Sequence, residues 1–505
     1  MKKTDEKCLS LVERVFNHAA KRESAPAIID GTGVHSYLNL RTDILSIAAR
    51  LDRGGVRTGD RILVECSQDE RFLACNLACS LAGCIFVGVE SRVSQERLRE
   101  IAAGTNPVLV ITRKPCPDIP ELADAEKLTA AEFYSCLGTE KLPPERDGKE
   151  VLFPAPDAPC EILFSTGTTG KSKGVVMSNG GNAANAENVI AGTRMEEDAV
   201  ELVPVPVNHA HGLRTCYAHL WNGSAVLIAK NITMPRVLFD LIDRYRANAL
   251  DLTPSAAAML LKTSGGRMRE LAPRIRYIEI GTAFLPENLK EELRECFPAS
   301  RLLNFYGSSE SGRACVLDFS LGKPERPGCI GQPVPNAEFK VVSETGKMIR
   351  SSRQETGLLA CRGPMNMLYY WMEPELTKEA LRGGFLFTKD TAYIDEDGYL
   401  YVLGRADDVI NYKGIKISPD EIEEAAMKSG LLKDCACVPL KDPLAGQVPK
   451  LFIVPDPEAG YSEDKLYSYL KSCIDDNRMP RAVEQIAEIP RTFNGKIRRR
   501  SLTGQ

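Results

Sequence analysis

The chain has 505 residues, of which 43% are hydrophobic and 26% charged, and a net charge of −4. This length predicts two or more domains, and the charge excludes the basic footprint of a nucleic-acid-binding protein. Neither a signal-peptide pattern nor a run of about 18 apolar residues is present. We therefore expect a cytoplasmic protein without a membrane span.

Residues 27–112 alternate between strand-like and helix-like patterns. Residues 61–66 and 84–89 have the apolar character of buried strands, and residues 71–82 between them have helical spacing. Such alternation predicts parallel β-α-β units. Residues 114–158 are rich in Pro, Lys and Glu, with weak periodicity, and we interpret them as a connection across the surface.

Several cysteines invite a metal-binding interpretation, which we consider weaker than simple packing. Cys75, Cys79 and Cys84 lie in an apolar stretch at helical spacing without a histidine, and Cys435 and Cys437 alternate in a strand-like segment. Free cysteine is commonly a small core residue. No histidine falls in a zinc-site spacing, so we predict packing roles for all five cysteines.

The segment ILFSTGTTGKSKG, residues 162–174, is the most informative part of the chain. An apolar run ends in a loop rich in glycine, hydroxyl groups and lysine, which can surround a polyphosphate with N–H donors and ammonium groups. The Walker A pattern fails by one residue, because its first glycine is replaced by Ser165. A flexible surface loop would explain the glycines but not the hydroxyl groups beside two lysines.

Later strands also end in short polar loops. The sequences NHAHG (208–212), GTA (281–283) and YGSSE (306–310) each follow an apolar run. In an open parallel sheet, ligands bind at the carboxyl ends of the strands. We therefore expect these loops to converge on one site. Beyond residue 330 the pattern changes to strand–turn–strand, and the part after 405 is long enough for a small α+β domain.

Five segments in order resemble the acyl-adenylate-forming superfamily, which includes acyl- and aryl-CoA ligases, peptide-synthetase adenylation domains and luciferase-like enzymes. They are STGTTGKSKG, YGSSE, TKD, GRADDVINYKG and PRTFNGK. The resemblance implies an α/β fold with a large N-terminal domain of parallel-rich sheets and helices, residues 1–406. It also implies a small mobile α+β C-terminal domain, residues 407–505, with its hinge at Asp407.

The resemblance implies an enzyme that uses ATP and Mg²⁺ to convert a carboxylic acid to acyl-AMP and pyrophosphate. Thioester formation with coenzyme A would follow. A stand-alone enzyme that loads the phosphopantetheine thiol of an acyl carrier protein is the alternative. A non-enzymatic nucleotide-binding regulator is a weaker one, and a luciferase-like oxygenase is unexpected. We expect a monomer or homodimer.

The resemblance also assigns residues to the nucleotide, although a core tyrosine, a capping serine and solvated charges would explain each one separately. Tyr306 and Gly307 would lie at adenine, Ser309 at the α-phosphate and Glu310 at Mg²⁺. Asp390 would accept hydrogen bonds from both ribose hydroxyl groups, and Arg405 would be a second contact to the nucleotide. The remaining members are the phosphate clamp and the wall beside adenine and acid: Ser165, Thr166, Gly167, Thr168, Thr169, Gly170, Lys173, Gly281, Thr282 and Ala283.

The resemblance implies roles for four residues of the C-terminal domain. Lys496 matches the catalytic lysine that bridges the carboxylate and the α-phosphate, although a basic tail is usually a solvated face. Asp407 matches the hinge, although a simple turn acid is the alternative. Lys413 and Gly414 resemble the loop that lines the tunnel for the thiol.

The identity of the acid is the least defined part of the prediction. His209 resembles the family histidine beside the carboxylate, and the role of His211 is open. No Asp or Glu occurs in NHAHGLRTCYAHLW (208–221), which argues against an α-amino acid. His211, Tyr217 and Phe284 are candidate lining residues for a small or medium aryl or acyl group. Three residues depart from the family pattern: Asn208, Lys389 and Asn411.

Overall fold

The computed structural model describes residues 10–137, 151–166, 172–230, 234–320, 328–343, 346–413, 415–491 and 496–503. In this part of the chain the α-helices are α1 Leu11–Lys21, α2 Tyr37–Arg53, α3 Glu70–Ala82, α4 Gln95–Thr105, α5 Ala130–Phe133, α6 Asn179–Thr193, α7 Ala210–Asn222, α8 Pro235–Tyr245, α9 Pro254–Thr263, α10 Arg267–Leu271, α11 Glu287–Cys296, α12 Pro374–Ala380, α13 Pro419–Lys428, α14 Glu463–Cys473 and α15 Arg499–Thr503.

The strands form three sheets in the same described residues. They are β1 Pro26–Asp30, β2 Gly33–Ser36, β3 Arg61–Glu65, β4 Ile85–Val89, β5 Leu109–Thr112, β6 Glu126–Thr129, β7 Pro159–Thr166, β8 Ser172–Ser178, β9 Val200–Val203, β10 Ala225–Ile228, β11 Ala249–Leu252, β12 Tyr277–Ile280, β13 Arg301–Ser308, β14 Gly312–Asp318, β15 Cys329–Pro333, β16 Glu338–Val342, β17 Gly357–Arg362, β18 Tyr369–Tyr370, β19 Leu381–Arg382, β20 Phe385–Ile394, β21 Leu400–Arg405, β22 Ile410–Tyr412, β23 Ile415–Ile417, β24 Leu432–Asp442, β25 Gly446–Pro455 and β26 Ala482–Gln485.

The largest sheet joins a parallel half to an antiparallel half. Its order is β16-β17-β20-β21-β15-β14-β13-β12-β11-β9-β10-β1-β2, with β19 paired to β20. The strands β13, β12, β11, β9, β10 and β1 are parallel to one another, and β2 pairs antiparallel with β1. From β13 onward the pairs β13–β14, β14–β15, β15–β21 and β21–β20 are antiparallel. One continuous sheet therefore connects the 281–283 and 306–310 segments to β20 and β21.

The second sheet carries the start of the glycine-rich segment. Its order is β18-β8-β7-β4-β3-β5-β6, and β7 through β6 are parallel neighbours. The antiparallel hairpin of β7 and β8 pairs Ser165 with Lys173. The loop that this hairpin spans, including Gly167, Thr168, Thr169 and Gly170, lies outside the described residues.

The third sheet belongs to the smaller C-terminal domain, so the predicted mixed α/β architecture of two unequal domains is confirmed. Its path is β23-β22-β25-β24, and β26 pairs in parallel with β25. Helices α13 and α14 pack on it through Ile422, Leu466 and Leu470, which are almost completely buried. No helix among the described residues has the length and apolar character needed to cross a membrane.

Local sequence explains several element boundaries. Helix α2 begins with a capping box in which Ser36 and Asn39 bind each other's backbone N–H groups, an arrangement that satisfies donors otherwise left unpaired. Helix α3 ends at Gly83, which adopts φ 76°, a conformation that glycine reaches without steric cost. Cys75, Cys79 and Cys84 are fully buried around α3, which confirms their packing role.

The alternation predicted for residues 27–112 is confirmed, but two predictions elsewhere are wrong. Residues 114–137 contain β6 and α5 as well as turns, rather than a plain connection. Residues 210–212, predicted as part of a short polar loop (208–212), instead begin the buried helix α7. Small and polar residues obscure its helical periodicity, because its polar side chains face other buried polar groups. Cys435 and Cys437 are buried in β24, as predicted.

Candidate active site

The carboxyl ends of the parallel strands meet at one edge of the large sheet. Gly281 follows β12 and lies against His211 of α7: a methyl group added to Gly281 would lie 2.7 Å from Cε1 of that imidazole. Thr282 has φ 79°, which is strained for a β-branched residue. Gly307, at the end of β13, has no room for a side chain, because a Cβ atom would lie 1.8 Å from the carbonyl oxygen of Gly312. A methyl group on Gly281 would also lie 3.5 Å from the carbonyl oxygen of Phe305 in β13, so the loops predicted to converge are close together.

The residues assigned to adenine and ribose form a connected group. The Tyr306 hydroxyl donates a hydrogen bond to Oδ2 of Asp390. Arg405 Nη1 lies 3.4 Å from Oδ1 of the same carboxylate and 3.0 Å from the Thr388 carbonyl oxygen. Burial raises the pKa of Asp390, and the charge of Arg405 opposes that shift. Lys389, which departs from the family pattern, has a left-handed backbone with φ 65°.

The phosphate side combines one carboxylate with lysine charge. Tyr370 donates from its hydroxyl to Oε1 of Glu310 at 2.9 Å, and Lys173 Nζ lies 5.4 Å from the centre of the Tyr370 ring. Desolvation lowers the pKa of Lys173; Lys389 lowers it further, whereas Glu310 raises it. Ser165 and Thr166 are the last residues of β7, and Ser309 is in the turn before Glu310.

Lys496 comes from the C-terminal domain to the same group of charges. Its residue is exposed overall, but desolvation around the ammonium lowers its pKa. The negative charges of Asp390 and Glu310 oppose this shift, while Arg405 adds to it. The structure thus brings together the carboxylates assigned to ribose and Mg²⁺ with the lysine assigned to catalysis.

The hinge candidate and the thiol-tunnel candidate lie in different surroundings. Asp407 accepts a hydrogen bond at Oδ2 from Arg500 Nη2 at 3.2 Å, and both side chains are largely exposed. Lys413 belongs to the small sheet, where its N–H donates to the Ala445 carbonyl oxygen at 2.9 Å. The structure does not bring Lys413 into the nucleotide group, and Gly414 lies outside the described residues.

The two histidines of the acid side differ in their contacts. His209 is the residue immediately before α7, and burial lowers its pKa. His211 Nε2 lies 2.5 Å from Oδ1 of Asp251, a fully buried carboxylate in β11. Tyr217 does not line a cleft, contrary to the prediction: it is fully buried and donates to Glu161 at 2.7 Å.

Sequence reasoning missed an ionic cluster behind His211. Arg313 Nη1 lies 2.5 Å from Oε2 of Glu279, and its Nη2 donates to Thr215 Oγ1 at 2.7 Å. Asp251 Oδ2 lies 2.8 Å from the same hydroxyl. The sequence contains a signal for this cluster. Asp251 interrupts the apolar strand ALDL, and Glu279 interrupts the apolar strand YIEI. Because buried acids are rare without partners, both positions indicate a buried ionic contact.

A second buried pair joins α7 to the other sheet. Arg214 Nη1 lies 2.6 Å from Glu161 Oε1 of β7 and donates to Asn182 Oδ1 at 2.8 Å. Glu161 and Arg214 are both almost fully buried. Helix α7, which carries His211, therefore connects strand β7 to the ionic cluster.

Comparison with known proteins gives a consistent result over the whole chain. The model of the AMP-binding enzyme family matches residues 15–371, and that of the AMP-binding enzyme C-terminal domain matches residues 421–496. A 4-coumarate–CoA ligase of Humulus lupulus is 27% identical over 98% of this chain and 93% of its own. Among solved structures, ATP-bound MatB from Rhodopseudomonas palustris has a TM-score of 0.86 at 23% identity, covering 98% of both chains. o-Succinylbenzoate CoA synthetase from Bacillus subtilis, in complex with its acyl-adenylate intermediate, has a TM-score of 0.82 at 22% identity, covering 97% of both.

Proposed function

We propose, since the chain belongs to the AMP-binding enzyme family, that it is an AMP-forming acid–thiol ligase. It activates a small carboxylic acid with ATP to give acyl-AMP and pyrophosphate, and then forms a thioester with coenzyme A. The observation that supports this proposal best is the group of Asp390, Glu310 and Lys496, in which charges from both domains act on one another. The domain boundary at 406/407 is part of the proposal.

The first half-reaction needs charge neutralisation and alignment more than covalent help. An oxygen of the acid attacks the α-phosphorus, and the bond to the bridging oxygen of pyrophosphate breaks. Lys496 would stabilise the charge that moves between the carboxylate and the α-phosphate. Lys173, with the loop between β7 and β8, would hold the leaving pyrophosphate, and Asp390 would fix the ribose hydroxyl groups.

The residues present fit a magnesium ion. Glu310 offers a carboxylate, which is a hard oxygen ligand, and its backbone is held by a hydrogen bond from Met367 N–H to its carbonyl oxygen at 2.7 Å. When bound, Mg²⁺ would neutralise phosphate charge. Tyr370 fixes the orientation of this carboxylate through its 2.9 Å hydrogen bond.

The second half-reaction exchanges AMP for a thiol at the acyl carbon. The sulfur forms the new bond to the carbonyl carbon, and AMP leaves with the electrons of the old one. We propose that rotation at Asp407 moves Lys413 and Gly414 to the site, as Lys496 leaves it. Free coenzyme A is the proposed acceptor, and a carrier-protein phosphopantetheine is the alternative. We also propose a cytoplasmic enzyme that is a monomer or homodimer.

Acid-dependent exchange of pyrophosphate into ATP, measured over a panel of carboxylic acids, tests the first half-reaction. Thioester analysis with coenzyme A, and separately with holo carrier protein, tests the second. We expect exchange with at least one acid and a thioester only with coenzyme A. Absence of exchange with every acid would refute the ligase proposal. A thioester formed only on the carrier protein would mean that the acceptor is the carrier protein rather than coenzyme A.

A further inference from the structure

Helix α13 of the C-terminal domain contacts the large domain at the start of helix α11. Oε1 of Glu424 accepts a hydrogen bond from the Glu287 N–H at 3.3 Å, between residues that are 137 positions apart in the chain. Glu287 is the first residue of α11, and the first N–H groups of an α-helix have no acceptor within the helix itself. A carboxylate of one domain therefore satisfies a backbone donor of the other.

The sequence before α11 does not supply this acceptor. The N-cap residue of the helix is Pro286, whose side chain contains no oxygen. A carboxylate at a helix N-terminus is stabilised by the unpaired N–H groups and by the helix dipole. Glu424, whose side chain is only 15% exposed, thus provides from the C-terminal domain the cap that the local sequence of α11 lacks.

Two lysines balance the acids at this contact. Oε1 of Glu287 lies 2.7 Å from Nζ of Lys290, a buried side chain of α11. Nζ of Lys428, one helical turn after Glu424, lies 2.9 Å from the Glu424 carboxylate. Desolvation opposes a rise in the pKa of Lys428, but the hydrogen bond to Glu424 raises it, and the charges of Glu287 and Glu291 raise it further. Because both of these acids belong to α11, Lys428 acts across the domain interface.

The same orientation of the C-terminal domain places Lys496 at the nucleotide group. The charges of Asp390 and Glu310 act on its ammonium group, while Glu424 contacts α11. Helix α13 and Lys496 both follow the proposed hinge at Asp407. A rotation there that withdraws Lys496 would carry Glu424 away from α11 as well. The cap on α11 and the catalytic position of Lys496 therefore belong to one orientation of the domain.

We propose that Glu424 is a positioning residue for the adenylation half-reaction, and that together with Lys428 it holds the C-terminal domain against α11 while Lys496 acts. Glu424 touches no reacting atom. A contact that exists in only one of two orientations shifts the equilibrium between them by its own free energy. The inference rests on the proposed ligase function and adds to it a residue that keeps the two domains aligned for the first step.

The ratio of the two half-reactions provides the test. Pyrophosphate exchange measures adenylation, and thioester formation from supplied acyl-AMP measures the second step. In Glu424→Ala we expect the ratio of the first rate to the second to fall about threefold to tenfold, which is the factor for loss of one helix cap. A residue that only stabilises the C-terminal domain would not change this ratio.

Two further variants separate the cap from its charge. Glu424→Gln keeps an acceptor oxygen for the Glu287 N–H and should retain part of the ratio. Lys428→Met leaves Glu424 beside the acids of α11 without a counter-charge, and like charges at short distance repel each other. It should therefore lower the ratio in the same direction as Glu424→Ala.

Glu484→Ala is the matched control for Glu424→Ala. It removes a carboxylate from an ion pair within the small sheet of the same domain, in which Nζ of Lys450 lies 2.7 Å from Oε2 of Glu484. We expect the ratio to stay at the wild-type value. Thermal unfolding shows whether each variant is folded.

An unchanged or higher ratio in a folded Glu424→Ala enzyme overturns the inference, whether both rates stay the same or fall equally. If Glu424→Ala does not fold, Lys428→Met and Glu424→Gln decide by the same criterion. A wild-type enzyme that shows no exchange with any acid is a different result, because it refutes the ligase function itself.

Discussion

Removal of the Lys496 ammonium should separate the two half-reactions. In the structure the charges of Asp390 and Glu310 act on this ammonium group. The acid and the α-phosphate would meet beside it. Lys496→Ala should therefore slow adenylation severely. It should leave thioester formation from supplied acyl-AMP nearly intact, because that step would follow after the lysine has moved away.

The size of the effect follows from the bonds that are lost. A bridging ammonium makes two charge-assisted hydrogen bonds, each contributing about 1.5–3 kcal/mol, and only the part that appears in the transition state affects the rate. Loss of one preorganised donor typically costs about 10²–10³ in kcat. We expect Lys496→Ala to lower the rate of pyrophosphate exchange by roughly that factor.

The pH dependence provides a second measurement on the same residue. The pKa of Lys496 is lowered from the ordinary 10.5, because protein atoms desolvate its ammonium. The charged form exists below that pKa and is lost as the pH rises through it, so adenylation should decline at alkaline pH before an ordinary lysine titrates.

Arg498→Ala is the matched control for Lys496, since it removes an exposed charge two residues away. It should leave both half-reactions unchanged. Equal losses of adenylation and thioester formation in Lys496→Ala would refute the catalytic assignment and indicate a structural lysine.

Three further predictions concern the hinge and the buried polar groups. Asp407→Pro fixes φ and should impair the half-reaction that needs domain rotation. Asp407→Ala removes the contact with Arg500 without fixing φ, and it should leave that half-reaction unimpaired. If both half-reactions are unaffected in the proline variant, Asp407 is not the hinge. Arg214→Met leaves Glu161 buried without its cation and should lower the free energy of unfolding by about 3–5 kcal/mol. The control Arg350→Met removes a cation from an ion pair whose side chains are 90% exposed, and it should leave the unfolding temperature unchanged. If both variants melt like the wild type, Arg214 does not stabilise the fold in this way. Burial lowers the pKa of His219 to about 3, so the imidazole stays neutral in the native state but binds a proton in the unfolded state below pH 6.5. The free energy of unfolding should therefore fall as the pH is lowered from 6.5 towards 3. Urea titrations at several pH values should show a smaller fall for His219→Gln.

Sequence patterns predict most of the fold because its parallel units are built from apolar runs. The predicted segments 61–66, 71–82 and 84–89 agree with β3, α3 and β4 to within one residue at each end. Such elements bury apolar side chains with a regular period. The start of helix α7 was interpreted as a polar loop, because residues 208–212 are polar or small, and no apolar period marks the helix, since its buried residues include His211, Arg214 and Thr215.

The candidate site was predictable only where residues are close in the chain. Ser309 and Glu310 stand in one short motif. The contact between His211 and Asp251 joins residues 40 positions apart, and the contact between Glu279 and Arg313 joins residues 34 apart. Sheet topology creates these contacts, and no local pattern encodes which acid meets which base. Tyr217 was misassigned for the same reason, since its partner Glu161 lies in the other sheet.

The pairing of β20 with β21 bears on which residues would move between the two half-reactions. Asp390 and Arg405 are direct partners across this hairpin, and Arg405 is the last residue of β21, two positions before Asp407. The hinge proposed at Asp407 thus lies just beyond the end of this sheet. If the C-terminal domain turns there, Asp390 and Tyr306 stay in place, and Lys496 departs with the C-terminal domain. The acyl-adenylate would stay bound to Asp390 and Tyr306 while other residues of the C-terminal domain replace Lys496. The reactive intermediate would then not be released between the two half-reactions.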